Sequence, residues 1–343
     1  MRVQAAGHGS EFLKWDAYAV KHPRSTVYHL SAWRKIAVRN YGAVDRSIVC
    51  MDGDRIAGLV PLLRVQRFGG GNYLTSGIFG AYDGILADSA QVRDLLIDET
   101  VRIAGRDASS FAVIKDYAEG EYPGFVTNHD YVTYVLDLTG GRDAAWKRLQ
   151  CNTRNHVRKG QKTGVTCDIG TGKLADFLRI YAVNIRDLGT PFPGAGFFED
   201  LIREFNDHAA IVTVSHGQKA LGAGLLLDFK DTMYIPFSAT LKAYREYCPG
   251  NVLFWEAIEY ACSRGCGYFD FGRSSLNSGT AQFKKQWGAS DRQLYYKYRM
   301  SEGKRQQTFN PNDPQYRACS ALWRLLPVWA ANRIGPALIR HIV

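Results

Sequence analysis

The 343-residue sequence has no apolar run reaching the roughly 18 residues that a membrane-crossing helix needs. Its first fifteen residues set Arg2, Glu11 and Lys14 among short apolar pieces and lack the pattern of a secretory leader. Seven cysteines are scattered without a Cys-x-x-Cys pair, and Cys262 and Cys266, one helical turn apart, have no histidines beside them. Free thiols of a reducing compartment are therefore expected rather than a disulfide frame or a zinc site. A Gly-x-Ser-x-Gly elbow and a metal-spaced set of His, Cys and Asp are both missing, which removes the common hydrolase constellations. Gly69-Gly70-Gly71 is not followed by Gly-Lys-Ser/Thr, so it is not a nucleotide-binding P-loop.

What is present is globular. Hydrophobic residues make up 46% of the chain and aromatics 13%, enough to bury a sizeable core, and the length suits two domains. The net charge of +10 is uneven: residues 1–150 hold 18 basic and 17 acidic side chains, the remainder 25 and 16. A basic second half points to a polyanionic partner such as RNA, a nucleotide-linked substrate or an anionic lipid surface, or else serves solubility alone.

The patterning predicts helices over Glu11–Lys21 and Tyr28–Val38, then strands on either side of the Asp52-Gly53 turn signal. The stretch Phe68–Asp88, rich in glycine and aromatics, is too long for a simple turn and is expected to line something. A helix over Gln91–Arg106 and strands over Phe111–Lys115 and Tyr131–Leu138 follow. The second half repeats the order: one long helix over Asp143–Thr163, strand Val165–Ile169, helix Leu174–Asp187 and helix Phe197–Phe205. Strands Ala210–Ser215, Ala220–Asp228 and Thr232–Ser238 come next, then helix Asn251–Ser263 with Asn251 as its N-cap. Strand Tyr268–Phe271, a basic helix ending at Gly288 and a closing strand Gln293–Arg299 complete it. Beyond Ser301, Pro311 and Pro314 precede a helix with Leu322, Trp323, Leu325 and Leu326, and a last segment carries Trp329 and Ile334. That tail either caps the core or lies on a membrane surface.

The stretch Tyr268–Gly288 is the centre of this reading. An apolar strand opens into a small-residue loop and a basic helix, exposing Asp270, Arg273, Lys284 and Lys285 at a strand end, a usual place for reactive groups. Solvated cations on a corner are the plain alternative. Upstream, Arg154 and Arg158 stand four residues apart on one face of a helix that also carries Lys159 and Lys162, cations suited to phosphates.

Together, the helix from Asn251, the strand Tyr268-Phe269-Asp270-Phe271-Gly272-Arg273-Ser274 and the element Phe283-Lys284-Lys285-Gln286-Trp287-Gly288 resemble the FemA/FemB-like branch of the GNAT acyltransferases. Within it they look most like FemAB-related proteins of bacterial exopolysaccharide and exosortase systems. The helix around Trp33, the run Arg154–Gly160 and the proline-rich tail extend the likeness over nearly the whole chain. It implies an α+β fold: two tandem GNAT-like domains, residues 1–142 and 143–300, with mixed central sheets flanked by helices, and a helical tail 301–343. It also implies a substrate site in the cleft between the domains, Lys284 beside the reacting carbonyl, and Tyr82 and Asp83 lining a precursor site. The lysine that Fem enzymes carry four residues after the tryptophan of the early helix is Ala37 here, with Lys35 or Arg39 as the substitute.

The implied reaction is transfer of an aminoacyl or acyl group to an amine on a cell-envelope or exopolysaccharide precursor. Such chemistry needs a deprotonated amine and stabilisation of the oxyanion. Lys284 can supply the cation; Asp270 either accepts the amine proton, orients Lys284 or Arg273, or is a structural ion pair. No cofactor is held permanently; the donor is aminoacyl-tRNA or acyl-CoA. At the place of the pyrophosphate loop stands Arg245-Glu246-Tyr247-Cys248-Pro249-Gly250, then Asn251. Cys248 replaces a glycine there and Pro249 removes a backbone N–H, which leans toward tRNA. A catalytically inactive scaffold of polysaccharide assembly and an RNA-binding module are the alternatives. A monomer in the cytoplasm, or at the inner face of the membrane against anionic lipid, is expected.

Overall fold

The computed structural model describes residues 1–7, 9, 11–301 and 314–341. In chain order the elements begin β1 (Arg2–Ala5), α1 (Glu11–Lys21), α2 (Ser31–Tyr41), β2 (Val44–Asp45), β3 (Ile48–Asp52) and β4 (Arg55–Val60). There follow β5 (Leu63–Gln66), β6 (Asn72–Thr75), β7 (Leu86–Ala87), α3 (Ala90–Arg106), β8 (Phe111–Asp116) and β9 (Val126–Asn128). The next are β10 (Tyr131–Asp137), α4 (Gly141–Arg148), α5 (Cys151–Lys162), β11 (Val165–Gly170), α6 (Leu174–Leu188) and α7 (Ala195–Phe205). Then come β12 (Ala209–His216), β13 (Lys219–Phe229), β14 (Thr232–Thr240), α8 (Pro249–Ser263), β15 (Tyr268–Ser275) and α9 (Gly279–Lys285). The last are β16 (Ser290–Gln293), β17 (Tyr295–Met300), α10 (Pro314–Arg324) and α11 (Val328–Ile339). Residues 302–313 at the head of the expected tail, Pro311 included, lie outside the described residues.

Two compact units result. The first comprises residues 1–131, 293–301 and 336–341 of those described. It contains a four-stranded sheet, β1-β3-β4-β7, and a six-stranded sheet, β2-β5-β6-β8-β17-β9. Helix α3 buries Val92, Leu96, Ile97 and Ile103, at helical spacing, against Cys50, Leu74 and Ile114 of the strands.

The second unit comprises residues 132–292 and 314–335 and is built on a seven-stranded mixed sheet, β11-β12-β13-β14-β15-β10-β16. Helix α8 supplies Val252, Trp255, Ile258 and Ala261 to its core, which also takes Val212, Leu226, Met233, Phe269 and Phe271. The halves expected from sequence thus exchange one strand each. β10 is written in the first half and belongs to the second unit; β17 is written in the second half and pairs with β8 and β9 of the first. Both pairings are non-local, and strand periodicity carries no partner information.

Two local readings are corrected. The single helix expected over Asp143–Thr163 is two, because Leu149 and Gln150 are extended at ψ 140° and 150° and Leu149 points into the core. Asn251 is not the N-cap of α8. Cys248 takes that place at φ 51°, and Pro249 starts the helix, where its fixed φ and missing N–H suit the first turn.

Trp287, fully buried, closes the core below α9 with Phe254, Phe271 and Phe283 at ring distances of 5.9, 6.1 and 5.9 Å. Its indole N–H has no partner among the described residues, so its contribution is one of packing. Trp287→Ala should lower the unfolding free energy by about 3–5 kcal/mol, read from urea denaturation.

Candidate active site

β14 and β15 run parallel, but their pairing is short. It joins Thr232 to Tyr268, Met233 to Phe269 and Tyr234 to Asp270, and stops. On its other side β14 carries an extra residue: Leu225 of β13 faces Phe237 whereas Leu227 faces Tyr234, a bulge over Ile235-Pro236. Pro236 has no N–H to give a ladder, and a bulge bends its strand, so β14 departs from β15 here. The two strands continue to Thr240 and Ser275 with no pairing to each other.

Past the last paired residue, β15 turns at Gly272, whose φ of +74° is cheap for glycine and strained for any L side chain. Asp270 fixes that turn. Its Oδ1, 3% exposed as a residue, accepts the Gly272 N–H at 2.7 Å and the Thr133 hydroxyl of β10 at 2.8 Å. The turn aims two carbonyls at one cation: the Lys284 ammonium donates to Gly272 O at 2.7 Å and to Arg273 O at 3.1 Å. Lys284 is 8% exposed, on α9, whose start is capped by Ser278 accepting the Ala281 N–H. Burial lowers its pKa from 10.5 to about 8; Asp270 pulls it up and Arg273 down. An ammonium has three donors, and the third finds no partner among the described residues. Arg273 and Lys285 are exposed, Lys285 at the end of α9. The set expected to be exposed is thus divided: Arg273 and Lys285 are exposed, whereas Asp270 and Lys284 are buried, drawn in by the hydrogen bonds that shape and fill the Gly272 turn.

Of the expected phosphate-contacting residues, Arg154 is taken up within the fold and Arg158 is not. Arg154 folds back on the end of α4, donating to the carbonyls of Lys147, at 3.2 Å, and of Leu149. Arg158 is exposed and lies over the Trp146 ring at 5.3 Å. At the start of α8, the Asn251 and Val252 N–H groups both bond to the Cys248 carbonyl, at 3.1 and 3.3 Å. Helix α5 closes on this place. A Cβ on Gly160 would stand 2.8 Å from the Tyr247 carbonyl oxygen and 2.5 Å from a Val252 methyl.

In the first unit, Tyr82 and Asp83 are buried inside their loop. Tyr82 sits edge-on to Tyr28 at 5.3 Å and to Tyr117 at 6.0 Å. The Asp83 carboxyl, its pKa raised by burial, lies against Gly77 and Gly80 and accepts the Ser76 hydroxyl at 2.8 Å. Beside them His29 is held neutral, its pKa lowered by burial to about 3, between the Thr26 N–H and the Gly84 carbonyl. Lys35 is half-buried with its ammonium 4.9 Å from the Phe12 ring centre. A cavity of about 520 Å³ near Arg34, Trp15 and Met51 contains none of the expected site residues, and the chemistry at Lys284 is the better guide.

Residues 147–285 match an acetyltransferase (GNAT) domain. The matched GNAT segment lies within the second unit and spans the bulge, the start of α8, the Gly272 turn and Lys284. No curated protein sequence matches the chain at a significant level. Among solved structures, that of FemX has a TM-score of 0.66 at 14% identity, over 93% of this chain and 100% of that one. The C-terminal domain of a putative lysylphosphatidylglycerol synthetase from Agrobacterium fabrum has a TM-score of 0.56 at 12% identity, over 84% and 92%. A tandem GNAT protein from the clavulanic acid biosynthesis pathway has 0.52 at 12%, over 86% and 98%. At such identities the likeness is one of fold: GNAT-like domains in tandem, mixed sheets flanked by helices, and a helical C-terminal tail. Among the described residues no helix is long and apolar enough to cross a membrane.

Sequence reasoning missed Thr133, the Ile235-Pro236 bulge and Gly160. Only Pro236 left a signal, as a proline inside an expected strand. The folded-state pKa of Lys284 lies below its unfolded value, so its desolvation cost is fully present below about pH 8. Between about 8 and 10.5 the unfolded chain holds more protons and stability rises with pH. The relief is on the order of 3 kcal/mol. Denaturation at pH 7 and pH 10 should therefore find the wild type gaining stability relative to Lys284→Met; a constant difference would mean the ammonium is not desolvated.

Proposed function

We propose that the protein is a FemAB-like transferase that moves an aminoacyl or acyl group from an activated donor to an amine on a cell-envelope or exopolysaccharide precursor. One observation carries this reading: two carbonyls pin the buried Lys284 ammonium where β15 has left β14, and its third N–H has no described partner. The acceptor amine attacks the donor carbonyl, a C–N bond forms, and the charge that develops on the carbonyl oxygen meets that third N–H. Collapse breaks the bond to the donor oxygen or sulfur, which leaves with the proton that the amine gives up. Asp270 is a positioning residue here: its Oδ1 holds the Gly272 turn and Thr133, and its charge acts on Lys284. Arg273 and Lys285, both exposed, are the cations beside the reacting group.

Aminoacyl-tRNA is the favoured donor. At the start of α8 Pro249 has no N–H, the Asn251 and Val252 N–H groups are taken, and Gly160 of α5 packs on the carbonyl of Tyr247. Little of a pyrophosphate cradle is left. The exposed Arg158, Lys159 and Lys162 of α5 offer backbone-phosphate contacts instead. Acyl-CoA, the co-substrate of GNAT domains, is the second reading, and the match over residues 147–285 is what favours it.

Thermal-shift and transfer assays with charged tRNA and with acyl-CoA decide the donor; a protein that responds to neither defeats the proposal. With the productive donor, Lys284→Met should lose roughly 10²–10³ in kcat while its melting temperature stays close to wild type. Because the protonated form is the one that works, kcat should fall as pH rises through about 8. A limb that rises there instead would make Lys284 the base that takes the amine proton.

A further inference from the structure

The C-terminal helices have two faces with different fates. One face is tied to the second unit. Ser320, buried, donates to Gly189 O at 2.9 Å, Arg186 donates to Leu326 O at 2.7 Å, Ala331 is buried, and Gly335 packs on the Phe192 backbone. The other face is bare. Leu322, Leu325 and Trp329 are 67%, 79% and 72% exposed, within eight residues of chain. They flank the corner between α10 and α11, at Pro327, which i→i+3 bonds from Leu325 and Leu326 tighten. Isolated exposed apolar residues need no explanation, but a cluster held out on a fixed corner does.

We propose that this corner docks on an anionic lipid bilayer, with Leu322, Leu325 and Trp329 entering the headgroup–acyl boundary. The choice of lipid over a protein partner rests on charge. Residues 314–341 contain Arg317, Arg324, Arg333 and Arg340 and no aspartate or glutamate. Arg317, Arg324 and Arg333 are exposed beside the apolar corner. Leucine and tryptophan flanked by arginines at one level is the composition of an interfacial anchor: apolar area supplies insertion, the indole suits the boundary, and cations meet acidic headgroups. Neither helix need span the bilayer, and the second unit's grip on the opposite face keeps the corner directed outward. The proposal is independent of the transfer reading, since none of these residues belongs to the Lys284 site.

The test is co-sedimentation of the full chain with vesicles of phosphatidylcholine alone and with added phosphatidylglycerol, at low and high salt. Binding is expected to the mixed vesicles, weakened by salt, and at least tenfold weaker for Leu325→Glu/Trp329→Glu, whose changes lie on exposed positions and should leave the thermal melt unchanged. Arg324→Ala/Arg333→Ala should weaken binding less and flatten its salt dependence. Lys284→Met should bind as wild type does. Equal binding to neutral and acidic vesicles, or equal binding by wild type and the Leu325/Trp329 double variant, overturns the proposal. So does a wild-type dimer that this variant turns into a monomer by light scattering, because a second copy would then cover the corner.

Discussion

Three rungs of parallel pairing hold β14 to β15, and the groups around Lys284 depend on the pairing ending there. Were the ladder to continue, β15's carbonyls would be free to bond to β14 and Gly272 could not turn. Because it ends, the carbonyls of Gly272 and Arg273 are left for an ammonium, and Asp270 can spend a carboxylate oxygen on shaping the turn. Burying a cation is costly unless it is hydrogen-bonded and opposed by charge. Here two carbonyls and a nearby carboxylate offset much of that cost, and the residue appears as a pKa of about 8.

Much of this was legible because it is local. Tyr268 to Gly288 reads as apolar strand, small-residue loop and basic helix from its own residues, and so Lys284 and Asp270 could be put in one stretch from sequence. What could not be read is non-local. Thr133 reaches Asp270 from a strand 137 positions away, and nothing in either segment announces the pairing. Helical patterning ran on through Leu149 because its burial is compatible with a helix; the break comes from the core that receives it. Tyr82 and Asp83 show another limit. A Gly-rich loop does not say on which side its carboxylate lies, and here Ser76 draws it inward.

The donor question turns on space as much as on charge. The N-terminal turn of a helix is a ready anion site only if its N–H groups are free and can be approached. At α8 a proline removes one, the Cys248 carbonyl accepts two, and α5 approaches so closely that its contact residue has to be glycine. The same packing presents the basic face of α5 to solvent.

The strand β17 has a consequence for the order in which the chain acquires structure. It pairs with β8 at about 180 residues' separation and with β9 beyond it. During synthesis β8 therefore has an open edge until nearly all of the second unit has been made. An N-terminal fragment ending before Tyr295 lacks the strand between β8 and β9, and an unpaired edge of that kind invites association with other chains. Closing so long a loop is also slow. The first unit, although it begins the chain, is the one whose sheet is completed last.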